Sequence, residues 1–166
     1  MEQTALDALA LWLTHYGAFT LFILMALGII AFPIPEETLM VLAGVLMHKG
    51  TLAHAPTIAA ALFGAMTGIT VSYLLGRFLG KYVLLRFGNY VGITEKHLDK
   101  AHSWFERFGK WALSIGYFIP GVRHFTGISA GISGLEYPQF ALFAYIGALF
   151  WVSSFLSVGY FVGGNW

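Results

Sequence analysis

FPIPEETLMVLAG, Phe32 to Gly44, is the stretch on which the fold turns. Two prolines and two adjacent glutamates interrupt a segment that is otherwise apolar from Gly17 to Met47. Hydrocarbon offers no water to a broken backbone or a carboxylate. Such a break is tolerated only where protein or a water-filled cavity surrounds it. Upstream, Gly17 to Ala31 supplies 15 apolar or small residues, short of the roughly 20 that a spanning helix needs. Pro33 and Pro35 forbid a continuous helix, and a second short apolar run, Thr38 to Met47, follows. Two half-length helices meeting at a polar break predict a re-entrant hairpin. A single kinked spanning helix is the alternative.

A second break of the same kind lies at Phe118 to Gly131, FIPGVRHFTGISAG. Pro120 and Gly121 interrupt the run there, and the charge is arginine. The chain reads as two copies of one broken-helix unit, with the acidic break expected to face the basic one.

Composition sets the class. Of 166 residues, 58% are hydrophobic and 10% charged, with a mean hydropathy of +0.73. A soluble domain carries roughly 25% charged residues, and a chain this short cannot bury so much apolar surface in one core. The expectation is an all-α integral membrane protein. A net charge of +1 gives no reason to expect a nucleic-acid partner. Cysteine is absent, which excludes disulfide and thiol chemistry. The N-terminus carries Glu2 and Asp7 and lacks the basic region of a cleaved signal peptide.

Outward from the first break, residues 2–16 place Leu6, Leu9, Leu13 and Tyr16 on one helical face. That spacing suggests an interfacial helix or the start of the first membrane helix. Thr57 to Gly76 is 20 residues without a charge, long enough to cross, and Arg77 and Lys81 follow where they can snorkel. Thr94 reads as an N-cap. Leu98, Ala101, Trp104, Phe105 and Phe108 then recur at helical spacing among lysines and arginines, which predicts a basic amphipathic helix on the membrane surface. Tyr137 to Trp166 has no charge and is the second span.

The pieces repeat in order. WLTHYGA (Trp12 to Ala18) resembles WFERFGK (Trp104 to Lys110). The Pro breaks follow, then Ala43–Gly44 and Ala130–Gly131. Gly64–Ala65, Gly76 and Gly80 have counterparts at Gly147–Ala148, Gly159 and Gly163. Each copy is an interfacial helix, a re-entrant hairpin and one transmembrane helix. One crossing per copy inverts the second, as in many transporters. The expected organisation is one membrane domain over 1–166. Its first repeat covers about 9–80, an amphipathic linker about 81–103, and its second repeat about 104–163. Lys and Arg flank the central loop, which puts that loop in the cytoplasm and both ends outside.

Five polar residues carry the chemistry. Arg123 and His124 sit at the expected start of a half-helix, where free backbone N–H groups favour an anion and the guanidinium fork matches phosphate oxygens. A structural ion pair of Arg123 with Glu36 or Glu37 is the competing reading, and both can hold in different states. Glu36 and Glu37 read as a proton-coupling or gating site, Glu37 first, because desolvation and like charge oppose ionising both. Helix N-capping is the plainer role. Arg77 either reaches a headgroup or anchors a helix end. The remaining histidines show no metal-ligand spacing, and no metal or cofactor is expected.

At these residues the chain resembles the DedA family of bacterial inner-membrane proteins, which is related to eukaryotic VTT-domain lipid scramblases. FPIPEETLMVLAG, the span ending in GRFLG, and GYFIPGVRHFTGISAG carry the likeness, and GYFIPGVRH is most similar to the branch proposed to move undecaprenyl phosphate. The resemblance implies a multi-pass protein of the cytoplasmic membrane that returns this lipid carrier across the bilayer for cell-wall biogenesis, a flippase with proton coupling as its candidate drive. It implies a translocase, not a chemical catalyst. Glu37, Arg77 and Arg123 match polar positions of the family. Tyr117 stands where many members carry arginine, and Leu24 to Ile30 holds no acid. An intramembrane lipid-phosphate phosphatase with His124 as nucleophile, and a proton-coupled carrier of a small anion, are the alternatives.

Overall fold

The computed structural model describes residues 2–28, 35–91, 95–119 and 122–165. Pro33, Thr94, Pro120 and Gly121 lie outside the described residues. Every described element is a helix: α1 (Glu2–Tyr16), α2 (Ala18–Leu27), α3 (Glu36–His48), α4 (His54–Val91), α5 (Glu95–Phe108), α6 (Trp111–Gly116), α7 (Val122–Ile132) and α8 (Tyr137–Gly163). The short apolar runs on either side of each break are thus separate short helices, α2 and α3 at the first and α6 and α7 at the second.

Among the described residues, two stretches are long and apolar enough to cross a membrane. They are His54–Gly80 and Tyr137–Gly163, each 27 residues with a mean hydropathy of 1.8. At 1.5 Å per residue each is about 40 Å long, more than the roughly 30 Å of hydrocarbon. The expected span Thr57 to Gly76 lies inside the first. Both are apolar around their circumference and leave Phe63, Phe78, Leu142, Phe150 and Phe161 exposed, as lipid-facing helices do. α4 runs on past its span only after a break at Gly80, whose backbone (φ 65°, ψ 172°) is not helical.

The chain divides into two compact units. The first holds Met1–Gly28, Phe32–Ala65 and Phe150–Trp166, and the second holds Ile29–Ala31 and Met66–Leu149. Each spanning helix therefore contributes one half to each unit. In the first unit α1 packs on α2 and α3, and Leu13, Leu21, Met25, Met40 and Trp151 are buried. Of the face expected on α1, Leu13 is buried and Tyr16 is exposed. In the second unit α5 packs on α6 and α7. The apolar face expected to rest on the membrane is turned at least partly onto protein, and Trp104, Phe105 and Phe108 are half-buried. Residue 104, the expected start of the second repeat, lies inside α5.

Glycine contacts set the crossings. In the first unit a Cβ on Gly44 would run into the Leu156 carbonyl and Tyr160 N, and one on Gly159 into the Val41 carbonyl. In the second unit a Cβ on Gly131 would run into the Tyr73 carbonyl and Arg77 N, and one on Gly76 into the Ile128 carbonyl. These are the same contacts at the same offsets. α3 lies parallel to the end of α8 as α7 lies parallel to α4, backbone against backbone. α3 and α7 also end alike. Gly50 (φ 71°) and Gly134 (φ 72°) take left-handed backbone, and Thr51 N and Leu135 N reach back to Leu46 O and Ala130 O, closing Schellman-type ends.

Candidate functional site

The acidic end belongs to the first unit. Pro35 precedes α3, and Leu39 N bonds its carbonyl at 3.1 Å, so the proline supplies the acceptor of the first turn while its missing N–H costs nothing there. Glu36 and Glu37 occupy that turn, where the helix dipole favours negative charge. Glu36 is 2% exposed and Glu37 is half-buried. The sequence put Glu37 first, yet Glu36 is the more enclosed of the two. Its carboxylate lies against Gly28, just past the end of α2. A Cβ at residue 28 would collide with Glu36 Oε1 and stand 2.8 Å from its Cδ. Gly28 is a site residue that sequence reasoning missed, because nothing in an apolar run marks one glycine as the wall of a carboxylate pocket.

The basic end belongs to the second unit. Arg123 sits in the first turn of α7 and is 5% exposed. From Thr126 to Gly131 every residue of α7 is buried. The Thr126 hydroxyl donates to the Arg123 carbonyl at 2.8 Å, and its Cγ2 would stand 2.9 Å from a Cβ on Gly116, which seats α7 on α6. His124 follows Arg123 in α7. Tyr117, at the end of α6, is buried.

Arg77 stands elsewhere in the second unit and is exposed. Its Nη1 donates to Tyr73 OH at 3.2 Å and to the Leu135 carbonyl at 3.3 Å. Tyr73 OH itself donates to Leu135 O at 2.6 Å. These bonds tie α4 to the turn between α7 and α8. Among the described residues no group of three His, Asp or Glu side chains converges as metal ligands do.

The family described as VTT domain matches residues 34–161. The uncharacterized membrane protein YbfM of Bacillus subtilis (strain 168) is 35% identical over 151 residues, covering 91% of this chain and 93% of that protein. The inner membrane protein YqjA of Escherichia coli (strain K12) is 35% identical over 149 residues, covering 87% and 67%. The protein named undecaprenyl phosphate transporter A of Bacillus subtilis (strain 168) is 28% identical over 155 residues, covering 93% and 76%. No solved structure matches the chain.

Proposed function

Because the chain belongs to the VTT-domain (DedA) family of membrane proteins, we propose that it is a translocase that carries a polyprenyl-phosphate lipid, undecaprenyl phosphate first among candidates, across the cytoplasmic membrane. The observation that carries this reading is Arg123, a guanidinium 5% exposed in the first turn of α7. Its planar fork suits the oxygens of a phosphate monoester. The 28% identical relative named for undecaprenyl phosphate transport supports the choice of lipid, and return of the carrier for cell-wall biogenesis is the role that follows.

His124 joins Arg123 as a second phosphate contact. Glu36 and Glu37 form the proton-linked pair, one of which takes up a proton as the phosphate binds, so that a pH gradient drives transport. The equivalent glycine crossings support two repeats, each with a re-entrant hairpin and a span, inserted in opposite senses. Both chain ends then lie outside the cell and the 82–110 region inside.

Liposomes holding fluorescent undecaprenyl phosphate in one leaflet test the reading. Movement of intact lipid between leaflets supports it. Release of free phosphate would make the protein a lipid phosphatase instead, and neither outcome leaves transport of a small anion.

A further inference from the structure

The second unit carries a polar track that the site above does not use. Thr70 on α4 donates its hydroxyl to the Met66 carbonyl at 2.7 Å and meets Tyr145 OH of α8 at 2.8 Å. Tyr145 OH meets Tyr137 OH at 2.8 Å. A threonine has one hydroxyl proton, so Tyr145 donates to Thr70 and Tyr137 donates to Tyr145. The Tyr137 proton is therefore the one that can be redirected to a new acceptor without breaking the Tyr145–Thr70 bond. Tyr137 is 46% exposed, and its ring lies 5.9 Å from Tyr73, the anchor of Arg77.

Arg77 flanks Tyr73. Both Nη1 protons are taken by Tyr73 OH and Leu135 O, which leaves the Nε–Nη2 edge of an exposed, immobilised guanidinium. That edge is one of the two that bind phosphate oxygens in pairs. Fixing the arginine in advance lowers the entropy lost on binding. Exposed Leu74 and Phe78 on α4 and exposed Leu142 and Ile146 on α8 border the track. Thr70 lies about 10 Å of helix rise from Arg77, so the hydroxyls extend inward along the spans.

We propose that this face is a capture site for an anionic phospho-lipid. The headgroup phosphate is held by the Nε–Nη2 edge of Arg77 and by Tyr137 OH, and the hydrocarbon chain lies on Leu142 and Ile146. It rests on the translocase reading for its class of ligand and adds a docking place separate from Arg123. A charged, anchored fork beside an apolar surface fits a lipid bearing a phosphate better than a free anion, which has no use for the apolar border.

The test places a photo-reactive benzoylphenylalanine at Leu142 of the full chain in phosphatidylcholine vesicles. The probes are labelled polyprenyl phosphate or the matching polyprenol at equal mole fraction. The expected result is preferential cross-linking to the phosphate. Arg77→Gln should lower it about tenfold, the scale of one hydrogen bond to a charged group. Arg77→Lys should restore part of it, and Tyr137→Phe should lower it by a smaller factor. Equal cross-linking of phosphate and alcohol, or cross-linking to a second copy of the chain in their place, overturns the proposal. Phosphate-selective cross-linking in a protein that moves no lipid between leaflets keeps the capture site and removes the translocase. Transport with no selectivity at Leu142 does the reverse.

Discussion

α3 and α7 start in the same register and with opposite charge. Glu36 precedes Gly44 by the same eight residues that separate Arg123 from Gly131, and both side chains are buried. Gly44 and Gly131 then cross the backbone of a spanning helix in the same way, each in its own unit. Helix physics treats the two starts differently. An acid in the first turn is stabilised by the dipole, so Glu36 and Glu37 are what such a helix would select in any case. A cation there opposes the dipole, and its burial adds a desolvation cost of several kcal/mol. Shared packing explains the glycines and local helix chemistry explains the glutamates. Arg123 runs against that helix chemistry, and that difference is why function is assigned to it first.

The comparison can be broken most forcefully at the charges. Arg123→Ala should abolish transport of polyprenyl phosphate in liposomes. Arg123→Lys should keep the fold yet bind the lipid poorly, because a point charge replaces a two-pronged donor. Wild-type affinity in either variant removes Arg123 from the site. Of the two acids, the more enclosed Glu36 has the greater reason to be tested beside Glu37. Glutamine at the proton-linked position should still bind lipid phosphate but lose its response to a pH gradient. Glutamine at the other should respond as wild type. If both respond as wild type, the pair serves only to cap α3.

The packing half of the comparison predicts smaller effects. Gly44→Ala and Gly131→Ala each push a methyl group into backbone of the facing helix. Each should cost about 1–3 kcal/mol, by similar amounts, in thermal or denaturant unfolding of the detergent-solubilised protein. A large loss at one and none at the other would show that the two crossings are not equivalent. Gly28→Ala should cost less than either, since the atom it meets ends a flexible side chain. It should instead displace the Glu36 carboxylate and change the pH-gradient response with little change in melting temperature.

Much of this was legible in the sequence. Pro35 marked the start of α3, uncharged runs of span length became the long helices, and Arg123 and the glutamates were conspicuous as charge among apolar neighbours. What the sequence left hidden depends on which faces meet. Gly28 against Glu36 requires two segments on either side of a break to return to each other. The Thr70–Tyr145–Tyr137 track joins residues on two spans, and tyrosines near helix ends read more simply as interfacial anchors. α5 carried the pattern of a surface helix, and periodicity cannot say whether lipid or α7 covers the apolar face.

The most direct measurement is the unfolding stability of wild type and Arg123→Gln, each with and without saturating polyprenyl phosphate. A ligand at a hundredfold excess over its Kd stabilises the folded state by about 2.7 kcal/mol. If Arg123 is held for the phosphate, the lipid should stabilise the wild type and not the variant. A lipid-free variant weakened by about 3–5 kcal/mol, the cost of breaking a buried ion pair, with the lipid effect unchanged, would show that Arg123 holds the fold together and that the phosphate binds elsewhere.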